Sequence, residues 1–218
     1  MSADLGKFVN KNVITIYNPA IDKKIYSKDY DLIDLKKIKK EKEKIILNIG
    51  FFEKQKDQIT ILKALKIVLR KIKNIHLILI GKGSKYIDLK EFVKKNNLQD
   101  NVVFLTNINN PIKFFKIADL FILSSLYEGF GNVLVEALSN KCPVITSSCK
   151  SGPMEIINNG KYGDYFSPKD YKTLAKKILL HFKYPKKLSN KLQSSSTHLN
   201  KFSLKENVRA FNKLFSKI

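Results

Sequence analysis

The stretch LYEGFGNVLVEALSNKCPVITSS, residues 126–148, sets two glutamates, Glu128 and Glu136, eight positions apart around a Gly-Phe-Gly-Asn turn. Apolar runs stand on both sides of it: Asp119 to Ser124 (DLFILS) before and Pro143 to Ser147 (PVITS) after. A short β-branched run, a glycine turn, a helical pattern and another β-branched run read as strand, loop, helix, strand. The same alternation recurs along the chain. Further runs stand at Lys44 to Gly50 (KIILNIG), Ile75 to Gly81 (IHLILIG) and Asn101 to Leu105 (NVVFL), with a weaker one at Gly163 to Phe166. Between the first two, Ile61, Leu62, Leu65, Val68, Leu69 and Ile72 repeat at helical spacing, and later helices are expected at 86–95, 111–117, 132–140, 153–158 and 170–182. Continuous apolar strands alternating with helices imply an α/β fold, a doubly wound parallel sheet covered on both faces. In such sheets ligands lie beyond the carboxyl ends of the strands, so the loops after residues 50, 81, 105, 124 and 147 are the places to look for chemistry.

Composition narrows the field. A chain of 218 residues that is 44% hydrophobic can bury one substantial core. No stretch approaches the ~20 apolar residues of a membrane helix, and no signal-peptide pattern opens the chain, so a cytoplasmic protein is expected. Cys142 and Cys149 are expected as core fillers, and His76, His181 and His198 are too scattered to suggest a metal site. The 41 Lys and Arg against 19 Asp and Glu give a net charge of +22. Only two of the cations, Arg70 and Arg209, are arginine, and base reading and bidentate phosphate clamping favour arginine. A lysine-rich surface solvating most faces is therefore the expected reading. A basic face on anionic lipid, at the inner face of the cell membrane, is the second, and nucleic-acid binding is disfavoured.

Four loops carry candidate groups. In NIGFFEKQKDQITILKAL, residues 48–65, Asp57 is placed to cap a helix with Lys54 and Lys56 just before its positive end, where an anion is favoured. Two solvated lysines beside a capping aspartate would leave the same trace. In IGKGS, residues 80–84, the strand ends in Gly-x-Gly without a third glycine, since position 86 is tyrosine. A dinucleotide fingerprint is not supported, and a tight turn explains the glycines as well as a ligand would. In the opening stretch, Asn132 is expected as the helix cap, leaving the amides of Asn132, Val133 and Leu134 without intrahelical partners. Gly129 and Gly131 would let a ligand approach closely. Amides for phosphate oxygens and carboxylates for hydroxyls would suit a phosphorylated polyol. In GPME, residues 152–155, helix capping alone is explanation enough.

These stretches, taken in order, resemble the C-terminal, donor-binding half of a retaining glycosyltransferase of family 4, with the GT-B fold of two facing Rossmann-like domains. The resemblance rests on SSLYEGFGNVLVEALSNKCPVI, which carries the E-x7-E motif at Glu128 and Glu136. It is supported by LILIGKGS, NVVFLTN, ADLFILSS and SGPMEII, and covers residues 12 to 217. It implies that Glu136 binds the ribose hydroxyls of a UDP- or GDP-sugar and Glu128 the sugar hydroxyls. Backbone amides of Gly129, Phe130, Gly131, Asn132, Val133 and Leu134 would hold sugar and diphosphate. Lys56 beside Gly50 would meet the diphosphate, and the loops at Gly81 and Leu105 would flank the base. Glu128 and Lys56 are the implied catalytic residues, and no divalent metal is expected.

Two departures stand out. Where the family carries Gly-Arg, this chain has Gly50-Phe51, so a clamp on the diphosphate is expected to be missing and nucleotide affinity to be lowered; substitution by the neighbouring Lys54 is the alternative. The acceptor-binding domain is expected to be missing, with residues 1–43 as remnant strand and linker, 44–200 as the nucleotide-sugar domain and 201–218 as a C-terminal crossover helix. Val13 to Tyr17 is expected as a strand, 22–44 as a Lys/Asp-rich connector and 193–197 as a Ser-rich linker. Leu204, Val208, Phe211, Leu214 and Phe215 form an apolar stripe, expected to be covered by a separate acceptor domain or by a second copy of the chain. The expected function is the donor-binding half of a transferase acting on a cell-surface glycan or lipid-linked acceptor. A truncated, inactive remnant with weak nucleotide binding is the alternative.

Overall fold

The computed structural model describes residues 14–20 and 42–216. Six strands form a single parallel sheet: β1 (Lys44–Ile49), β2 (Ile75–Ile80), β3 (Val102–Leu105), β4 (Leu120–Leu123), β5 (Val144–Ser147) and β6 (Asp164–Phe166). Their order is β3-β2-β1-β4-β5-β6. The six runs of the strand–helix alternation, from Lys44 to Phe166, are all strands. Along β1 successive residues enter opposite cores. Ile46 joins a layer with Ile61, Leu62 and Leu65, whereas Ile45 and Leu47 join one with Phe121, Leu134 and Leu138. Both faces are therefore dry, which is why the strand shows no polar alternation.

Helices cover the two faces: α1 (Gln58–Val68), α2 (Tyr86–Lys95), α3 (Asn132–Ser139), α4 (Pro153–Ile156), α5 (Tyr171–Lys183), α6 (Lys186–Leu192) and α7 (Ser195–Asn200), and a terminal helix, α8 (Leu204–Phe215), follows them. The helical repeat read at 61–68 is the buried side of α1. Ser203 begins α8 with a capping bond from Glu206 N–H to its hydroxyl, 3.3 Å, the arrangement that Ser-x-x-Glu favours.

The sheet order places a switch point between β1 and β4. From β1 the chain builds outward through β2 to β3, then returns to β1's other side to lay down β4. The loops leaving β1 and β4 diverge to opposite faces here, opening a crevice at the carboxyl edge.

Four expectations are corrected. Ile14 to Tyr17 form no strand. The Tyr17 ring packs against Phe130 and Phe202, centroids 5.7 and 5.1 Å away, and its carbonyl accepts a 2.7 Å bond from Asn207 Nδ2. Ala20 N–H donates to the Phe202 carbonyl at 2.9 Å. This segment is thus tied to the α7–α8 junction and not to a sheet edge, and β-branched residues without a ladder partner stay irregular. The Ser-rich stretch at 193–197 is mostly helical, since Ser195 begins α7 and turns its hydroxyl back onto the Leu192 carbonyl at 2.7 Å. The expected helix at 111–117 is a 3-10 helix, Pro111–Lys116. The fourth correction, at the start of α3, belongs to the site. The connector at 22–44 and the remnant at 1–43 lie largely outside the described residues.

Candidate active site

Beyond β1 the chain makes a 3-10 turn, Lys54–Lys56, before α1. Two clasps set its position. Glu53 accepts from both the amide and the hydroxyl of Ser84, each at 2.8 Å, locking the loop after β1 to the loop after β2. Those two bonds hold the Glu53 carboxyl below its usual pKa. On the other side Gln55 grips the loop after β4, its carbonyl accepting from Leu126 N–H and its Nε2 donating to the Tyr127 carbonyl, both at 2.8 Å. Asp57 stands at the start of α1 in a left-handed conformation, accepting from the Thr60 hydroxyl at 2.7 Å. Burial pushes its carboxyl up.

The turn delivers Lys56 into the crevice. Lys56 Nζ lies 2.6 Å from Glu128 Oε1, joining groups 72 residues apart in the chain. Glu128 is 9% exposed, and the Ser125 hydroxyl donates to the same Oε1 at 2.6 Å. A carboxylate this buried needs such partners, because desolvating an unpaired charge is costly. Lys54, in contrast, is exposed and outside this arrangement. Gly50, at the end of β1, lies against the aliphatic stem of Lys56.

The turn after Glu128 is open. A side chain at Gly129 would meet nothing within 4 Å. Gly131 caps α3 at a left-handed φ of 99°, and Asn132 is the first helical residue. Asn132 is therefore not the cap. Leu134 N–H is also not a free donor, since it bonds the Gly131 carbonyl at 2.9 Å. A glycine cap allows this tight first turn, which consumes one of the orphan amides. Asn132 and Val133 remain as the first N–H groups of α3. Leu134 is buried, Phe130 and Val133 are half-buried, and Glu136 is half-buried in the helix's second turn.

The glycines after β2 have a packing cause. A Cβ on Gly81 would sit 2.0 Å from the Gly50 carbonyl oxygen, so close approach of β1 and β2, rather than of a ligand, explains that residue. Gly81 N–H donates to the Leu105 carbonyl at 3.0 Å, extending the sheet past β2. Beside these residues a cavity of about 410 Å³ opens between Gly50, Phe51, Gly81, Lys82 and Asn107. Phe51 is 60% exposed at its rim. A second cavity, about 260 Å³, lies on the far side of the glycine turn between Tyr17, Gly129, Phe130 and Glu155. Burial, reinforced by its bond to Glu155, pushes the Tyr17 phenol up to about 12.

The site therefore gathers Gly50, Lys56, Glu128 and the turn from Gly129 to Val133 at one end of the sheet, with Gly81 and Leu105 beside them. Sequence reading missed Ser124, Ser125, Gln55 and Gly152. Ser124 and Ser125 had a visible signal, two hydroxyls ending an otherwise apolar strand. Gly152 had none, for its role is tertiary: a Cβ there would lie 1.9 Å from the Phe130 carbonyl oxygen. Cys142 and Cys149 are buried thiols, and burial pushes Cys149 up, away from the reactive thiolate. Among the described residues no His, Cys, Asp and Glu side chains gather in a way that would hold a metal ion, and no helix is long and apolar enough to cross a membrane.

Known proteins resemble this chain. The family model described as glycosyl transferases group 1 matches residues 30–198. An uncharacterized glycosyltransferase of Methanocaldococcus jannaschii is 42% identical over 113 residues, 52% of this chain and 28% of that protein. The N-acetylgalactosamine-N,N'-diacetylbacillosaminyl-diphospho-undecaprenol 4-alpha-N-acetylgalactosaminyltransferase of Campylobacter jejuni is 31% identical over 141 residues, 62% of this chain and 38% of that protein. In fold, the chain is similar to Staphylococcus aureus TarM, a point mutant of which was solved in complex with fondaparinux, alpha-GlcNAc-glycerol and UDP. The TM-score is 0.78 at 21% identity, over 98% of this chain and 42% of that one. The chain thus spans well under half the length of each.

Proposed function

This chain belongs to the group 1 glycosyl transferases, and from that premise we propose that it is the nucleotide-sugar-binding half of a retaining transferase. The single observation that carries the reading is the 2.6 Å pairing of Lys56 with Glu128 across the switch point between β1 and β4. A cation and a carboxylate placed there suit a donor whose diphosphate and sugar lie side by side. Lys56 and the first amides of α3 take up the negative charge that grows on the departing diphosphate. Such preorganised donors are worth most where charge develops in the transition state. Glu128 accepts from sugar hydroxyls and Glu136 from ribose hydroxyls. The cavity between Gly50, Gly81 and Asn107 is the place for the base.

The donor is a UDP- or GDP-sugar carrying a hexose or N-acetylhexosamine; the UDP held by TarM favours uridine. The acceptor is a cell-surface glycan or its lipid-linked precursor, a reading supported by the diphospho-undecaprenol acceptor in the Campylobacter relative's name. Reaction requires an acceptor domain to complete the cleft, and the exposed apolar face of α8 offers such a domain, or a second copy of the chain, a seat. The net charge of +22 would hold the protein near anionic lipid on the cytoplasmic face. The test is a thermal-shift panel of UDP-, GDP- and ADP-sugars, since a ligand bound by the folded state alone raises its melting temperature. No shift with any of them at millimolar concentration would refute the reading.

A second reading, a remnant with weak nucleotide affinity, is favoured by one observation: Phe51, exposed where the family carries arginine. A hydrogen bond to a charged group contributes about 1.5–3 kcal/mol, and its loss weakens binding about 10- to 100-fold. Phe51→Arg is accordingly expected to tighten UDP or GDP binding about tenfold or more. Equal calorimetric affinities for the two proteins would show that Lys54 or another group already supplies the clamp.

A further inference from the structure

Three serines end two neighbouring strands beside the crevice, and all are completely buried: Ser124 and Ser125 after β4, and Ser147 at the end of β5. Packing does not call for hydroxyls at the tips of strands that read LFIL and VIT, where alanine would fill the space without a polar group to satisfy. Each hydroxyl instead has a defined bond. Ser124 Oγ donates to the Lys56 carbonyl at 2.7 Å. Ser125 Oγ donates to Glu128 Oε1 at 2.6 Å. Ser147 Oγ donates to the Ser125 carbonyl at 2.6 Å. With the bond from Lys56 Nζ to Glu128 Oε1, they close a ring in which the rigid sheet fixes both ends of the ion pair.

The ring is one-sided. Both donors to Glu128 fall on Oε1, while Oε2 accepts from no protein group among the described residues. Nor is Oε2 among the buried polar atoms left without a bond, so it reaches solvent. One oxygen is anchored and the other is presented. We propose that Ser125, itself pinned by Ser147, is a positioning residue that holds Glu128 by Oε1 so that Oε2 faces a hydroxyl of the donor sugar. The proposal rests on the donor-binding reading of the site.

The ion pair alone cannot do this work throughout the cycle. When a diphosphate enters, the Lys56 ammonium turns to it or shares itself with it, and Glu128 loses part of its charged partner. Ser125 is neutral and has no reason to follow the phosphate. Its bond persists in the occupied site, keeping the carboxylate in register when the sugar needs it. Its removal is therefore felt on the sugar and not on the nucleotide.

Calorimetry on the full chain separates the two, with UDP titrated against UDP-N-acetylglucosamine and GDP against GDP-mannose. Ser125→Ala is expected to lower affinity for the sugar nucleotide about tenfold, the size of one lost bond to a charged group, with affinity for the bare nucleotide unchanged within about twofold. Ser125→Thr, which keeps the hydroxyl, is expected to restore most of the loss. Ser147→Ala, which leaves that hydroxyl but unpins its backbone, must show the same sugar-selective loss at smaller size, and it serves if Ser125→Ala does not fold. A merely structural role would lower the melting temperature and weaken both ligands equally; that result, or no change in either, overturns the proposal while leaving the donor site standing. If the unaltered chain binds none of the four compounds, the donor-binding reading fails and this inference falls with it.

Discussion

The turn between β4 and α3 and the terminal helix α8 were equally conspicuous in the sequence, and the structure treats them oppositely. The turn is knitted into the protein. Glu128 is nearly buried, bonded to Lys56 and Ser125, and Gln55 holds the Leu126 and Tyr127 backbone. The helix shows its apolar stripe to solvent, with Leu204, Val208, Phe211 and Phe215 all exposed and no buried residue along its length. Its anchorage lies at its beginning, through Asn207 to Tyr17, while Phe211 and Phe215 merely stack on each other at 6.3 Å. A polar motif thus turned inward and an apolar one outward. Residue pattern says what a face is made of, whereas the rest of the fold decides what meets it.

The contrast can be broken most severely at the turn's support. Gly152 has a φ of 66°, and its missing Cβ leaves room for the Phe130 carbonyl. Gly152→Ala is expected to cost about 3 kcal/mol or more, from a strained backbone together with a main-chain collision. That corresponds to a melting temperature lower by ~6–12 °C. An unchanged melting temperature would mean that the turn is not held as tightly as the packing indicates.

Lys56→Ala sharpens the comparison by removing one partner of the inward-facing pair. Glu128 is left with Ser125 alone, and on the proposed reading the donor diphosphate loses its cation. Affinity for a sugar nucleotide is expected to fall about 10- to 100-fold, measured calorimetrically against the unaltered chain. A loss of twofold or less would remove Lys56 from the binding site.

The smallest effect is expected at α8. Replacing Phe211 and Phe215 together by serine removes two exposed rings whose ring contact among the described residues is with each other, so stability should change by no more than about 0.5 kcal/mol and the melting temperature by ~2 °C. What should change is association: if a second copy covers the stripe, sedimentation will show less self-association in the variant. A marked drop in melting temperature would instead show that α8 supports the fold directly.

Much of this molecule was legible because its signals are local. A parallel strand buried on both faces must be apolar throughout, so KIILNI, IHLILI and LFIL announced themselves, and the helical spacing from Ile61 to Val68 marked α1. Where the signal depended on a distant partner, reading failed or stayed open. Ile14 to Tyr17 has the composition of a strand but no ladder to join. Asn132 looked like a cap until Gly131, able to turn left-handed, took that place and drew Leu134 N–H out of the set of free donors. Gly81 is explained by the Gly50 carbonyl alone, at the end of the neighbouring strand.

The amino-acid sequence by itself determined the layered α/β fold and the glutamate-bearing turn, because burial on both faces and helix starts leave their mark within a few consecutive residues. Only the tertiary structure decided that Lys56 and Glu128 meet, that buried serines hold them and that α8 faces outward. Those facts depend on β1 and β4 lying side by side with the chain returning from β3, and adjacency across 72 residues is a property of the closed sheet that no local pattern records.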